Sequence, residues 1–177
     1  MNTWSESLLN KTNLNTNFIN NIGTKWADKI ATTTWKVGGN TSANIMESIS
    51  SVVYLNEIVK PISTNTTDNK TEYTGKIGLM YISDYGFAAS PSTWTTTLYD
   101  YKNLSMSAIN WMYMGLSECT ISRSSEQSNA IIYLYIFGGM STGNVHFGYA
   151  VRPTFSLLSS TIYVSGSGSA DDPILIK

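Results

Sequence analysis

"NAIIYLYIF", residues 129–137, decides how this chain is read. It is built from β-branched and aromatic residues, contains neither Gly nor Pro, and predicts a strand. Alternation along a strand sends Ile132, Leu134 and Ile136 to one face and Tyr133, Tyr135 and Phe137 to the other. Two readings stay open. If the aliphatic set faces the core, the aromatic set faces solvent, joined by His146, Phe147 and Tyr149 from the segment that follows. If both faces are covered, the aromatics are core.

Downstream, "GGMSTGN" is expected to turn the chain back, with "VHFGYAVRPTFSL" as the hairpin partner. "STIYVSG" and "PILI" then close the sequence as short strands around the Gly/Ser turn "GSGSADDP". Upstream, "NWMYMGLSECTISR" is rich in large apolar residues, and its Gly115 suggests a bulge or a close backbone approach. "KIGLMYISDYGFAASP" reads as a strand running into a turn bounded by Gly86 and Pro91. "TTTWKVGGN" reads as a strand ending in a Gly-Gly turn.

Helix is expected at the start. Leu8, Leu9, Phe18, Ile19, Ile22, Trp26 and Ile30 recur at three- to four-residue spacing, with a break at "NKTNLNTN" and a new cap at Thr16 or Asn17. "SANIMESISSVVYLNEIV" opens as a short helix capped by Ser42 and ends as strand or loop, and a short helix follows Ser92. Residues 63–73 read as an exposed loop. One domain covers 1–177, and a leading helix followed by short strands and long loops predicts an α+β fold with antiparallel pairing.

Composition narrows the chemistry. Charged residues are only 13% and the net charge is −1, so the polar surface falls to Ser, Thr and Asn, roughly a third of the chain. No basic run supports nucleic-acid binding, and no apolar stretch is long enough to span a bilayer. Cys119 is alone, which excludes an internal disulfide, and His146 is the sole histidine. Cys119 reads as a small buried hydrophobe rather than half of a thiol–imidazole pair. No carboxylate pair has a spacing that names a mechanism, and "GSGS" lacks the lysine and helix of a phosphate loop. Asp68, Asn69 and Glu72 could offer oxygens to Ca²⁺, but their spacing fits a solvated turn better. Neither a metal nor a cofactor is therefore assigned. Arg123 in "TISRS" and Arg152 in "AVRPTF" stand among apolar strand residues. A guanidinium there is expected to clamp loop carbonyls with its five donors.

"INWMYMGLSECTISR", "NAIIYLYI" and "GYAVRPTFSLLSSTIYVSGSGSADDPILI", with "NNIGTKWADKIATTTWKVGGN" upstream, resemble the C-type-lectin-like domain of bacterial surface proteins, some of them anchored by a prepilin-like helix. That domain is related to folds of the formylglycine-generating-enzyme type and to variable proteins of diversity-generating retroelements. The resemblance runs from about Asn15 to the end. It leaves 1–15 as the remnant of a stalk behind a removed anchor, the only link to a membrane. It implies two helices around a small twisted antiparallel sheet with long loops. It also implies a ligand surface on Ser124, Ser125, Glu126, Gln127, Tyr133, Tyr135, Phe137, Asn144, His146, Phe147 and Tyr149, with Arg123, Arg152 and Trp111 as structural supports. The reactive cysteines of the enzyme branch and the sugar-binding triplets of calcium lectins are both missing. The implied role is non-enzymatic recognition of a protein or glycan at the outside of a bacterial cell. The alternative is a pilin-like subunit that assembles with its own copies.

Overall fold

A computed structural model describes residues 2–62 and 70–177. The Asp68 and Asn69 pair, and most of the predicted 63–73 loop, lie outside the described residues.

The expected break at "NKTNLNTN" is replaced by continuous helix. Leu9–Phe18 forms wide, π-type turns that run directly into α1 (Ile19–Asn21). Widening by one residue per turn puts Asn10 above Asn15 and Lys11 above Thr16. The Asn15 amide donates to Asn10 Oδ1 at 2.7 Å, and Thr16 Oγ1 donates to the Lys11 carbonyl at 2.7 Å. Side chains that ordinarily compete with helical backbone thus stitch this one together. The helix ends instead at Gly23, whose φ of 80° favours glycine, and α2 (Thr24–Ala27) restarts after it.

The predicted 32–40 strand divides into β1 (Thr33–Lys36) and β2 (Gly39–Asn40). Gly39 is strand rather than turn, because a Cβ there would press on the Arg123 carbonyl of the neighbouring strand. "SANIMESISSVVYLNEIV" is helical throughout: α3 (Ser42–Glu47), α4 (Ser50–Tyr54) and a wide-turn extension, Leu55–Val59. Its cap is Thr41, whose hydroxyl accepts the Asn44 N–H at 3.0 Å, not Ser42. β3 (Glu72–Gly75) pairs with β1. β4 (Gly78–Leu79) is short, and the turn expected after it is α5 (Ile82–Phe87). Pro91–Thr93 and Asp100–Asn103 are single 3₁₀ turns, and α6 (Met106–Ile109) precedes β5 (Glu118–Ser124).

β6 (Ala130–Leu134) is followed by β7 (Met140–Asn144). The hairpin partner therefore lies within "GGMSTGN", not in the "VHFGYAVRPTFSL" segment. The reversal comes earlier, where Gly138 N–H donates to the Tyr135 carbonyl at 2.7 Å. Gly138 takes a positive φ of 93° there, a conformation that favours glycine. The remaining strands are β8 (Pro153–Thr154), β9 (Tyr163–Ser165) and β10 (Leu175–Ile176).

The main sheet runs β2-β5-β6-β7. β5–β6 and β6–β7 are antiparallel as expected, but β2–β5 is parallel, so the sheet is mixed. Two-stranded pairs β1–β3, β4–β8 and β9–β10 surround it. The chain is an α+β protein. More than two helical segments occur among the described residues, each short.

Two hydrophobic clusters divide the interior. Ile132, Leu134 and Met140 meet Ile45, Val53, Tyr85 and Leu98 from the central helices. Ile121 meets Trp4, Leu14, Trp35 and Ile77 from the N-terminal helix and the β1 region. Leu79 belongs to the second cluster and Met80 to the first, so the β4 segment separates the two by simple alternation.

Candidate functional site

Alternation holds along β6. Ala130, Ile132 and Leu134 are buried, whereas Ile131 and Tyr133 point to the opposite face, alongside Cys119 of β5 and Ser141 and Gly143 of β7. The N-terminal helix covers part of that face, where Leu9 and Cys119 join the second cluster. Beyond it the face is open. Tyr149 packs on Tyr133 with the rings tilted by 43° and centroids 4.8 Å apart, Tyr133 meets Tyr135 edge-on at 6.4 Å, and Tyr135 meets Phe137 at 5.2 Å. Tyr135 is 37% and Phe137 60% exposed. Ile136, expected in the core, is solvent-facing, because β6 ends at Leu134 and the following turn carries it outward.

Each ring has a structural reason for its position. Gly143 lies beneath Tyr149, and a Cβ there would run into the Tyr149 hydroxyl and come within 3.0 Å of the Tyr133 ring. Burial against these neighbours raises the Tyr149 phenol above its ordinary pKa. The turn bearing Tyr135 and Phe137 is tied from below, where the Tyr85 hydroxyl donates to the Gly138 carbonyl at 3.0 Å. At the other end of the strand, Asn144 Oδ1 accepts the His146 N–H at 2.9 Å, which shapes the turn that presents exposed His146 and Phe147.

The structure thus gathers Tyr133, Tyr135, Phe137 and Tyr149 in ring contact and sets Asn144, His146 and Phe147 at the far end of the same strip. Glu126 and Gln127 are exposed near that end, since Val145 N–H donates to the Asn129 carbonyl. Glu126 also accepts the Ser42 N–H at 2.9 Å, which holds it against α3. Ser124 and Ser125 do not belong to the surface. Both are buried, and the Ser124 hydroxyl accepts the N–H groups of Glu126 and Gln127 to form the turn itself.

The supports divide three ways. Arg152 clamps a loop, as expected of a guanidinium: it donates to the Met112 carbonyl at 2.8 Å. It also forms a bidentate pair with Glu118, at 3.0 and 2.6 Å, which the sequence reading did not include. Arg123 is almost fully buried and donates to the Lys70 carbonyl at 2.7 Å. Trp111 is not a structural support: it is 82% exposed. Asn110 receives Met112 N–H at its side-chain oxygen and donates to the Tyr85 carbonyl, so the turn packs Met112 and Tyr113 inward and throws Trp111 out. Desolvation pushes the Cys119 thiol up to about 12, which leaves it protonated at neutral pH. Among the described residues, no three His, Cys, Asp or Glu side chains group as a metal set.

The chain matches no family model, no curated protein and no solved structure.

Sequence reasoning missed two features. Glu57 sits in "YLNEIV" like any surface glutamate, yet it is buried and takes the N–H groups of Ile82 and Ser83 at 3.1 and 3.0 Å, together with the Ser122 hydroxyl. Nothing local in the sequence signals this. Tyr54, Phe87 and Trp94 form a second exposed aromatic group, with centroids 6.3 and 5.4 Å apart. Reading "YISDYGF" as α5 rather than strand would have put Phe87 on an outer helical face.

Proposed function

We propose that this chain is a non-enzymatic recognition domain of a bacterial cell-surface or pilus-like protein. In this reading it has the C-type-lectin-like arrangement and binds a protein or glycan through the open face of β6. One observation carries the proposal: the unbroken run of ring contacts from Tyr149 through Tyr133 of β6 to Tyr135 and Phe137 in the turn that follows, over a strand whose other face is core. Tyrosine gives large contact area at small entropic cost, and Asn144, His146 and Gln127 add adaptable hydrogen bonding at the strip's end. If copies of this surface are diversified, the substitutions belong in 126–127, 135–137 and 144–149.

Glycan-array and peptide-display binding test the proposal. Tyr135→Ala with Phe147→Ala should abolish whatever binding the native chain shows, at an unchanged melting temperature. A native chain that binds nothing, or a variant that loses stability and binding together, would remove the basis for this role.

A second reading, a structural subunit that assembles with itself, draws on the exposed apolar side chains Phe155, Leu158, Ile162 and Val164 near the C-terminus. Sedimentation velocity separates the two: concentration-dependent growth favours the subunit, and a strict monomer favours recognition.

A further inference from the structure

Trp111 is the most exposed large hydrophobic side chain among the described residues, at 82%. Its backbone is nevertheless fixed on both sides. Asn110 before it is buried and tied to α5 through the Tyr85 carbonyl at 2.8 Å. Tyr113 after it packs on the first cluster and donates its hydroxyl to the Ile136 carbonyl at 2.7 Å. The indole walls an open groove of about 510 Å³ between two segments, 88–91 after α5 and 107–111 at the end of α6. These segments are locked side by side. Ala89 and Asn110 form an antiparallel bridge, and Ser90 N–H donates to the Ile109 carbonyl at 2.9 Å. The Trp94 indole N–H holds the Ala89 carbonyl at 2.9 Å. Ala88, Ala89 and Ala108 leave the groove wide, and Ser90 and Ser107 add hydroxyls. Among the described residues, no titratable side chain lines it.

We propose that this groove holds an uncharged pyranose ring of a glycan, stacked on the Trp111 indole. An ionic partner finds nothing to pair with in the lining, whereas a neutral sugar needs no such partner. The C–H face of a pyranose is slightly positive and suits the negative face of an indole. Ser107, exposed at the edge, can donate to or accept from the sugar hydroxyls, and Ser90 keeps acceptor capacity beside its long bond to the Ile109 carbonyl. A small, mostly apolar cleft with a few polar groups and a preset aromatic wall is the usual form of a small-ligand site. The proposal goes beyond the β6 reading and uses none of its residues.

Calorimetry and ligand-observed NMR on the full chain test it, with methyl β-glucoside, methyl β-galactoside, lactose and cellobiose as probes. A saturable site with a Kd on the order of 1 mM is expected for at least one of the disaccharides. Trp111→Ala should weaken it about tenfold at an unchanged melting temperature, and Trp111→Phe only about threefold. Ala108→Glu, on an exposed position of α6, keeps the indole but fills the groove, and should weaken binding by at least fivefold. No binding of any of the four probes, or binding that ignores either Trp111→Ala or Ala108→Glu, would overturn the proposal. So would a Trp111 indole signal that follows protein concentration instead of sugar, the mark of a self-association face, or one that answers only to a proline-rich peptide. Tyr135→Ala with Phe147→Ala should leave this binding unchanged. If that pair abolishes it and Trp111→Ala does not, the sugar lies on the β6 face, and this proposal falls while the β6 reading stands.

Discussion

Glu57 is the residue whose environment departs furthest from what its type prefers. Burial raises its pKa to about 7, against the lowering effect of the hydrogen bonds from Ser122, Ser83 and Ile82. The folded chain therefore holds this proton at a pH where the unfolded chain has released it. Between pH 4.5 and about 7 the folded state binds more protons, so stability falls as pH rises, by on the order of 3 kcal/mol for this site. Urea unfolding at pH 4.5, 6 and 7.5 should show that fall. Glu57→Gln should flatten most of it, leaving a remainder from Asp84, whose pKa partial burial also raises. A variant with the native slope would show that Glu57 is solvated. Arg152 makes the complementary case. Its partner Glu118 is buried, so Arg152→Ala strands a carboxylate and should cost about 3 kcal/mol in urea unfolding. Arg152→Lys should recover only part, since an ammonium cannot hold Glu118 bidentately and also reach the Met112 carbonyl. Full recovery by lysine would mean that charge alone matters there.

At the scale of elements, local chemistry told the truth about faces and was less reliable about connections. The period of two in "IIYLY" separated the two faces of β6 but left open whether the aromatic one is covered; β6 packs its aliphatic face on the central helices and leaves Ile131 and Tyr133 half-buried on the other. The N-terminal helix could not be read that way. Asn and Thr argued for a break, and what reverses the argument is distant: Asn15 Oδ1 accepts N–H groups from Lys76 and Ile77, and its amide donates to the Ile77 carbonyl. Asn15→Ala removes that cross-link and leaves buried backbone donors unpaired, so it should cost about 2–3 kcal/mol and reduce far-UV helical signal at the N-terminus. A neutral result would mean the π-type turns stand without their link to Lys76 and Ile77, between β3 and β4. Gly143 illustrates the same limit in the sheet. It looked like turn punctuation in "GGMSTGN", but its missing Cβ is what lets Tyr149 lie on β7. Gly143→Ala should leave β7 intact and displace the Tyr149 ring, shifting its NMR ring signals. In a Tyr149→Ala background the same change should cost less but not nothing, because the added Cβ still meets the Tyr133 ring at 2.8 Å.

For the molecule as a whole, the two clusters and the C-terminal segment differ in how much each has buried. Leu79 and its neighbour Met80 put one residue into each cluster, and β5, which carries Ile121 of the second, is paired with β6, which carries Ile132 and Leu134 of the first, so the interior should unfold as one unit. The segment after Ser160 shares little of that interior. Ile162, Tyr163, Val164, Ile174 and Leu175 remain largely exposed, and β9–β10 closes mainly on itself through the paired Ile162 and Lys177 backbone groups. Firm attachment ends earlier, where Ser156 and Leu158 exchange backbone hydrogen bonds with Ala31 and Lys29. The family-like closing sequence made this segment look like an integral strand pair, and sequence could not reveal that its apolar side chains would lack a covering layer. Ending the chain after Ser160 should therefore remove less than about 1 kcal/mol of stability, because there is little burial to lose. The measurement is calorimetric melting of the shortened chain beside the full one. Near-identical transitions are expected, with amides of 162–177 exchanging fastest in the intact protein. If truncation instead lowers the transition by many degrees, the hairpin belongs to the cooperative core, and its exposed apolar side chains support the body of the molecule.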